Sequence, residues 1–231
     1  MFGTIIECNC VGCLKKNIIF DPLSDEQLAK LNKNKYTAKY KAGETIFKQG
    51  TLVSHVLSLT DGLVKVYIEG LNDRNLILKL AKAGELIGGP GIFTDKRFHY
   101  TVTALSDSIA CFLELNAIIE MIHENKEFAI SLLTHVNKAM AFHFNKFIVL
   151  TQKQMQGRIA DALIYLSADI YQNTSFTMDI SRQDLADLTA MSKESAIRIL
   201  KEFKEDGIIS LNNNYLEILK PDKLKIISSI G

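Results

Sequence analysis

Proline and glycine are scarce, at 3 and 13 of 231 residues, and no repeat organises them. That excludes collagen-like and Gly/Pro low-complexity chains. Long apolar runs are missing as well. Stretches such as Ile164-Tyr165-Leu166 fall far short of the ~18 residues that span a bilayer. No basic segment leads into an apolar one at the N-terminus, so no signal peptide is expected. Neither charge sign dominates, with 27 Lys and Arg against 26 Asp and Glu, so no global basic field advertises a nucleic-acid partner. Absent too are a Gly-rich phosphate loop, a zinc-protease His pair, a nucleophile elbow and any recognisable carboxylate pair, which argues against an enzyme. What is present is a chain that is 47% hydrophobic. It can bury a substantial core, and its length suits two domains or one large one. A soluble, cytoplasmic protein without a membrane partner is the expectation.

Cysteine is sparse but unevenly placed: Cys8, Cys10 and Cys13 stand in a short arm and Cys111 stands alone. A reduced intracellular chain does not need them as disulfides. Three thiols plus one distant thiol match the ligand count of a four-thiolate iron–sulfur or zinc site. The alternative is an arm of surface thiols and a buried Cys111, which sits in the apolar run Ile109-Ala110-Cys111-Phe112-Leu113.

The chain divides into segments by periodicity. Eight of the thirteen glycines fall between residues 43 and 91. They separate the short runs Thr45–Phe47, His55–Leu59, Leu63–Ile68 and Leu76–Leu80, with Tyr100–Ala104 following. Turn signals at such intervals, between β-branched and aromatic runs, predict an antiparallel sandwich or barrel. A helix precedes it, because Ser24-Asp25-Glu26-Gln27 is a capping-box pattern ahead of Leu28 and Leu31. From Asn116 to Gln172 there is no proline and one glycine. Leu133, Val136, Met140, His143, Phe147 and Leu150 recur there at alternating spacings of 3 and 4, a heptad seam suited to a second copy of the helix. Leu132, Phe144, Ile148 and Met155 form another row, expected to pack back on the β domain.

Two short helices follow. The first opens at Ser181 with Asp184 at its third position, and the second at Ser192-Lys193-Glu194-Ser195, a second capping-box pattern, ending near Gly207. Their tight junction is the helix-turn-helix pattern. Ile208–Leu211 and Tyr215–Leu219, separated by Asn212-Asn213-Asn214, then predict a hairpin, or wing.

Taken in order, these motifs resemble the Crp/Fnr family of transcription regulators over nearly the whole chain. Lys41–Gly50, Asp61–Tyr67 and Ala83–Gly88 resemble the opening strands and turns of that family's effector domain. The resemblance implies an α+β chain: a Cys-bearing arm over residues 1–20, an antiparallel jelly-roll barrel over 21–125, a dimerisation helix over 126–153 and a winged helix-turn-helix over 154–231. It implies a homodimer that reads a palindromic site on double-stranded DNA under control of an effector or redox signal, and that contacts RNA polymerase. Lys193, Glu194 and Arg198 occupy the family positions that face the major groove, with Ser192, Ser195 and Arg182 nearby. Arg offers a fork to guanine, Lys a donor to guanine or phosphate, and Glu an acceptor to the cytosine amino group. Ile197 stands where the iron–sulfur branch carries Ser, and Lys193 is similar to the cyclic-AMP branch. Residues 154–231 hold nine basic against eleven acidic groups, a net of −2, while residues 192–204 alone carry +2. Weak non-specific DNA binding is expected from that deficit.

The effector is a separate question. The cyclic-nucleotide branch uses a Glu where this chain has Gly89, and an Arg where it has Phe98 or His99, with Arg97 the nearest cation. A buried phosphate without a cationic partner is costly, so cyclic AMP is disfavoured. Ala104–Cys111 resembles the stretch that leads to the fourth cysteine of the oxygen-sensing branch. That likeness implies a [4Fe–4S] cluster on Cys8, Cys10, Cys13 and Cys111, although the C-x-C-x₂-C spacing is tighter than the branch's own. The rival readings are a non-ligating arm, or a haem or nitric-oxide sensor using His55, His99 or His123. A nucleotide-fold module that regulates a protein partner without reading DNA is the alternative for the chain as a whole.

Overall fold

The computed structural model describes residues 10, 12, 13 and 15–231. The chain separates into two compact units: residues up to Ile68 with Leu80–Ala141, and Glu69–Lys79 with Phe142–Gly231.

In the first unit, Ser24 caps α1 (Asp25–Lys33) through the reciprocal Gln27 bonds foreseen from the sequence. Leu28 and Leu31 point inward. Strands β1 (Tyr36–Tyr40), β2 (Thr45–Phe47), β3 (His55–Asp61), β4 (Leu63–Ile68), β5 (Leu76–Lys82), β6 (Leu86–Ile87), β7 (Thr101–Ala104) and β8 (Ser108–Glu114) follow. They pair antiparallel in two four-stranded sheets, β1-β8-β3-β6 and β2-β7-β4-β5. The sheets do not close on each other, so the expected barrel is a two-sheet jelly roll. Gly62, at φ +88°, makes the β3–β4 turn; a Cβ there would lie 2.2 Å from the Ser108 Oγ, so only glycine fits. After β8 come α2 (Leu115–Glu124) and α3 (Lys126–Gln152). Ile118, Met121 and Phe128 join Leu28, Leu31, Val56 and Leu113 in one apolar cluster. β3 and β8 are buried along nearly their whole length, because that cluster covers the outer face of their sheet as well.

The second unit contains α4 (Met155–Tyr165), β9 (Ser175–Thr177), α5 (Arg182–Thr189), α6 (Lys193–Glu205), β10 (Ile209–Asn212), β11 (Tyr215–Ile218) and α7 (Pro221–Ile230). Its sheet runs β10-β11-β9, so the wing carries a third strand. The hairpin turns at Asn213-Asn214, with Asn212 opposite Tyr215 and Asn213 at φ +53°. Asn tolerates that conformation better than most residues. Ile159, Leu163, Leu185, Ile199, Leu200, Leu216 and Leu224 are buried at 1% exposure or less, a core drawn from every helix of the unit. No helix among the described residues is long and apolar enough to cross a membrane.

Candidate nucleic-acid interface

Two caps fix the helix-turn-helix. Ser181 accepts from Asp184 N at 3.0 Å, and the Asp184 carboxylate accepts from Ser181 N at 2.9 Å. This closes a capping box that satisfies two otherwise orphaned donors. α5 ends at Ala190, in left-handed geometry at φ +50°, and Met191 N returns to Ala186 O at 3.1 Å. Ser192 then caps α6 by accepting from Ser195 N at 3.2 Å. The reciprocal arm of the expected second box is missing. Residue three is Ser195, whose hydroxyl meets the Ser192 hydroxyl at 3.1 Å and does not reach back to the cap backbone.

Burial then sorts α6 into two faces. Ala196, Ile199, Leu200 and Phe203 are buried, while Lys193, Glu194, Ile197, Arg198 and Lys201 are exposed. Spacings of three and four put the exposed set on one stripe. The Glu194 carboxyl is held below its ordinary range, first by its backbone amide and then by Ser192. Arg198 rests on Glu202 one turn on, Nη1 to Oε1 at 2.6 Å. Arg182 is half-buried. Its Nη2 donates to the Asn213 carbonyl at 2.6 Å and so braces α5 against the wing tip. Sequence reasoning passed over Lys201, which continues the exposed stripe; its four-residue spacing from Ile197 was the available signal.

α3 presents the apolar seam openly. Leu133, Val136, Met140 and Phe147 are 47–61% exposed, with His143 and Leu150 partly covered. The second row departs from expectation. Leu132 packs on the first unit's core, but Phe144, Ile148 and Met155 remain exposed. At 100° per residue Phe144 and Ile148 fall beside Leu133 and Met140, so the two rows form one broad apolar band.

The arm approaches β8. In register, Thr37 and Ser58 flank Cys111 on the neighbouring strands, placing all three on one sheet face. The Thr37 Oγ1 and Cys111 Sγ lie 3.3 Å apart. Cys10, Cys13 and Cys111 line a single cavity of about 30 Å³ with Ser58 and Thr60, and none of the three is in a disulfide. Cys8 lies outside the described residues. Among the described residues no three Cys, His, Asp or Glu side chains stand close enough to share a metal ion. The thiol set suits an iron–sulfur cluster in donor chemistry, while the cavity is only about the size of one water, so a cluster requires the arm to stand further out. The histidines do not converge: His55 meets Ser54 at 2.9 Å, and His99 meets Asp95 at 3.0 Å.

Where a nucleotide phosphate would sit in the cyclic-AMP branch, this chain is aromatic. Phe98 is buried and stacks on Phe47 at 3.9 Å. A Cβ on Gly89, at φ +83°, would lie 2.8 Å from the Tyr100 hydroxyl, so the Glu of that branch does not fit here. Arg97 is exposed and donates to Gly50 O at 2.6 Å.

A jelly roll, a long helix with an open apolar band and a winged helix-turn-helix with an exposed polar stripe define a DNA-binding regulator with an attached β domain. Residues 37–125 match the cyclic nucleotide-binding domain family, and residues 157–227 match the Crp-like helix-turn-helix domain. The chain is 25% identical over 227 residues to a probable transcriptional activator of Rhizobium leguminosarum bv. viciae, covering 96% of this chain and 92% of the relative. It is 22% identical over 231 residues to the transcriptional activator protein FnrL of Cereibacter sphaeroides, with the same coverage. The solved structure of FixK2 from Bradyrhizobium japonicum superposes with a TM-score of 0.78 at 15% identity, over 84% of this chain and 98% of that one. The protein belongs to the Crp/Fnr family. It is a DNA-binding transcription regulator and not an enzyme.

Proposed function

We propose that the chain acts as a cytoplasmic homodimer that reads a palindromic operator through α6 and signals to RNA polymerase. The exposed stripe of Lys193, Glu194 and Arg198 on a helix whose other face is wholly buried carries this reading. The buried face holds the helix axis, so the stripe is what a major groove can meet. Ser192 and Ser195 order the first turn, and we assign their hydroxyls to phosphate contacts. Arg182 braces α5 against the wing tip, and we assign it to the DNA backbone beside that turn. Leu133, Val136, Met140, His143, Phe147 and Leu150 form the dimer seam, widened by Phe144 and Ile148. In such a dimer the two recognition helices lie about one DNA turn apart, ~34 Å.

The test is selection of bound duplexes from a randomised library by the full-length protein. Two-fold symmetric half-sites, centred roughly 10 base pairs apart, are expected. An asymmetric consensus, or none, contradicts the reading.

For the effector we propose a [4Fe–4S] cluster held by Cys8, Cys10, Cys13 and Cys111, in preference to a cyclic nucleotide. Such a cluster supplies redox and oxygen sensitivity. Within the chain, Cys111 would tie the arm to β8 through the cluster, and the Thr37 hydroxyl lies beside its thiol at 3.3 Å. Anaerobically prepared wild type is expected to carry iron and sulfide that Cys111→Ala loses. Equal, near-zero iron in both leaves the thiols as a non-ligating arm.

A further inference from the structure

A second cavity lies wholly inside the second unit, among the C-terminal half of α3, α4 and the end of α5. It measures about 250 Å³, room for several water molecules. Val149, Ile164 and Leu188 give it apolar walls, and Lys146 and Arg158 bring two cations to its lining. The partners of both cations are backbone carbonyls. Lys146 Nζ donates to Ile77 O at 2.6 Å and Leu78 O at 3.1 Å. Arg158 donates to Lys153 O at 2.9 Å and Ala190 O at 3.4 Å. The carboxylate of Asp161, also in the lining, is already engaged by Lys153 at 2.7 Å and by the Ser228 hydroxyl.

Two carbonyls accept the two N–H bonds that a neutral amine possesses. The third donor of an ammonium therefore has no acceptor among the described residues and calls for one from the cavity. Burial pushes the Lys146 amine down to about 7. His143 and Lys79 nearby are further positive or titratable groups, and Asp169 is the remaining acid in the lining. A buried amine of this kind gains an acceptor and a countercharge from one anionic group, while the apolar walls ask for a hydrocarbon body behind it.

We infer that this cavity is a binding site for a small monocarboxylate carrying an apolar group, with its carboxylate on Lys146 and Arg158. The site touches α3, α4 and the helix that leads into the recognition turn. None of its lining residues belongs to the cysteine arm or to the aromatic-filled nucleotide position.

The probe is benzoate, with benzylamine as the same shape of opposite charge, titrated calorimetrically into the full-length protein at pH 8 in two buffers of different ionisation enthalpy. Benzoate is expected to bind, benzylamine not, and binding is expected to take up close to ~1 proton as the Lys146 amine recharges. Lys146→Met keeps the stem and removes the amine that recharges; it is expected to weaken benzoate at least ~10-fold and to abolish the uptake. Asn145→Trp changes an exposed lining residue at the mouth and is expected to weaken benzoate without touching the cations. If Lys146→Met fails to fold by circular dichroism, Asn145→Trp decides alone. Benzoate binding no better than benzylamine, or unchanged in the folded variants, overturns the assignment.

Discussion

Lys146 is a lysine whose amine is held largely out of water. Its amine pKa falls from 10.5 to about 7 because burial penalises the charged form. In the unfolded chain it titrates near its ordinary value, so between pH 7 and about 10.4 the unfolded state binds more protons than the folded one. The sign follows: this residue's contribution to stability rises with pH through that window and is smallest at and below pH 7. Urea midpoints of wild type are expected to climb relative to Lys146→Met from pH 7 to pH 10. A constant difference contradicts a depressed amine. Arg198 stands at the other extreme, exposed and held only by Glu202. Exposed i,i+4 pairs contribute about 0.3–0.5 kcal/mol, so DNA can take Arg198 from Glu202 at little cost.

Among the elements, the two helices of the helix-turn-helix were the most legible, because their starts are local chemistry. Ser181 and Asp184 act within four residues of each other, and no tertiary contact is needed to see them. Ser181→Ala is expected to lower stability by about 1 kcal/mol, read as a shifted denaturant midpoint with unchanged slope. β8 was harder. Its run from Ala110 to Leu113 is buried on both faces, so the alternation that marks a half-buried strand is absent. β6 has two residues and β9 three, too short for any period. α3 was recognised as a helix, but its apolar residues were split into two faces. Phe144 and Ile148 look distinct from the seam in a heptad count, yet they continue it on a helix of 3.6 residues per turn. Met140→Glu with Phe147→Glu places charges into that band. Light scattering should then report monomers, with operator binding lost; a double variant that remains dimeric rules out this seam.

At the scale of the whole molecule, the order of β domain, long helix and winged helix was readable because each has its own signal: turns at regular intervals between the strands, a spacing of seven in the seam, and caps at the helix-turn-helix. The aromatic filling of the nucleotide position was readable only in part. Gly89 and Phe98 stood out as substitutions, but the stack of Phe98 on Phe47 joins residues far apart in sequence, and the Tyr100 wall behind Gly89 is set by how the chain folds between them. The Lys146 cavity gave no sequence signal. Its amine finds acceptors on Ile77 and Leu78, 69 and 68 positions away. The net charge of −2 over residues 154–231 confines favourable electrostatics to the region of α6. Discrimination must then come from a few base contacts rather than from phosphate attraction. The most direct measurement is the affinity of wild type and Arg198→Ala for the selected operator and for every single base-pair change in it. Arg198→Ala is expected to cost about 1–3 kcal/mol and to erase preference at one symmetric base pair while leaving the others intact. An equal loss on every sequence would make Arg198 a phosphate contact and would contradict reading by this face of α6.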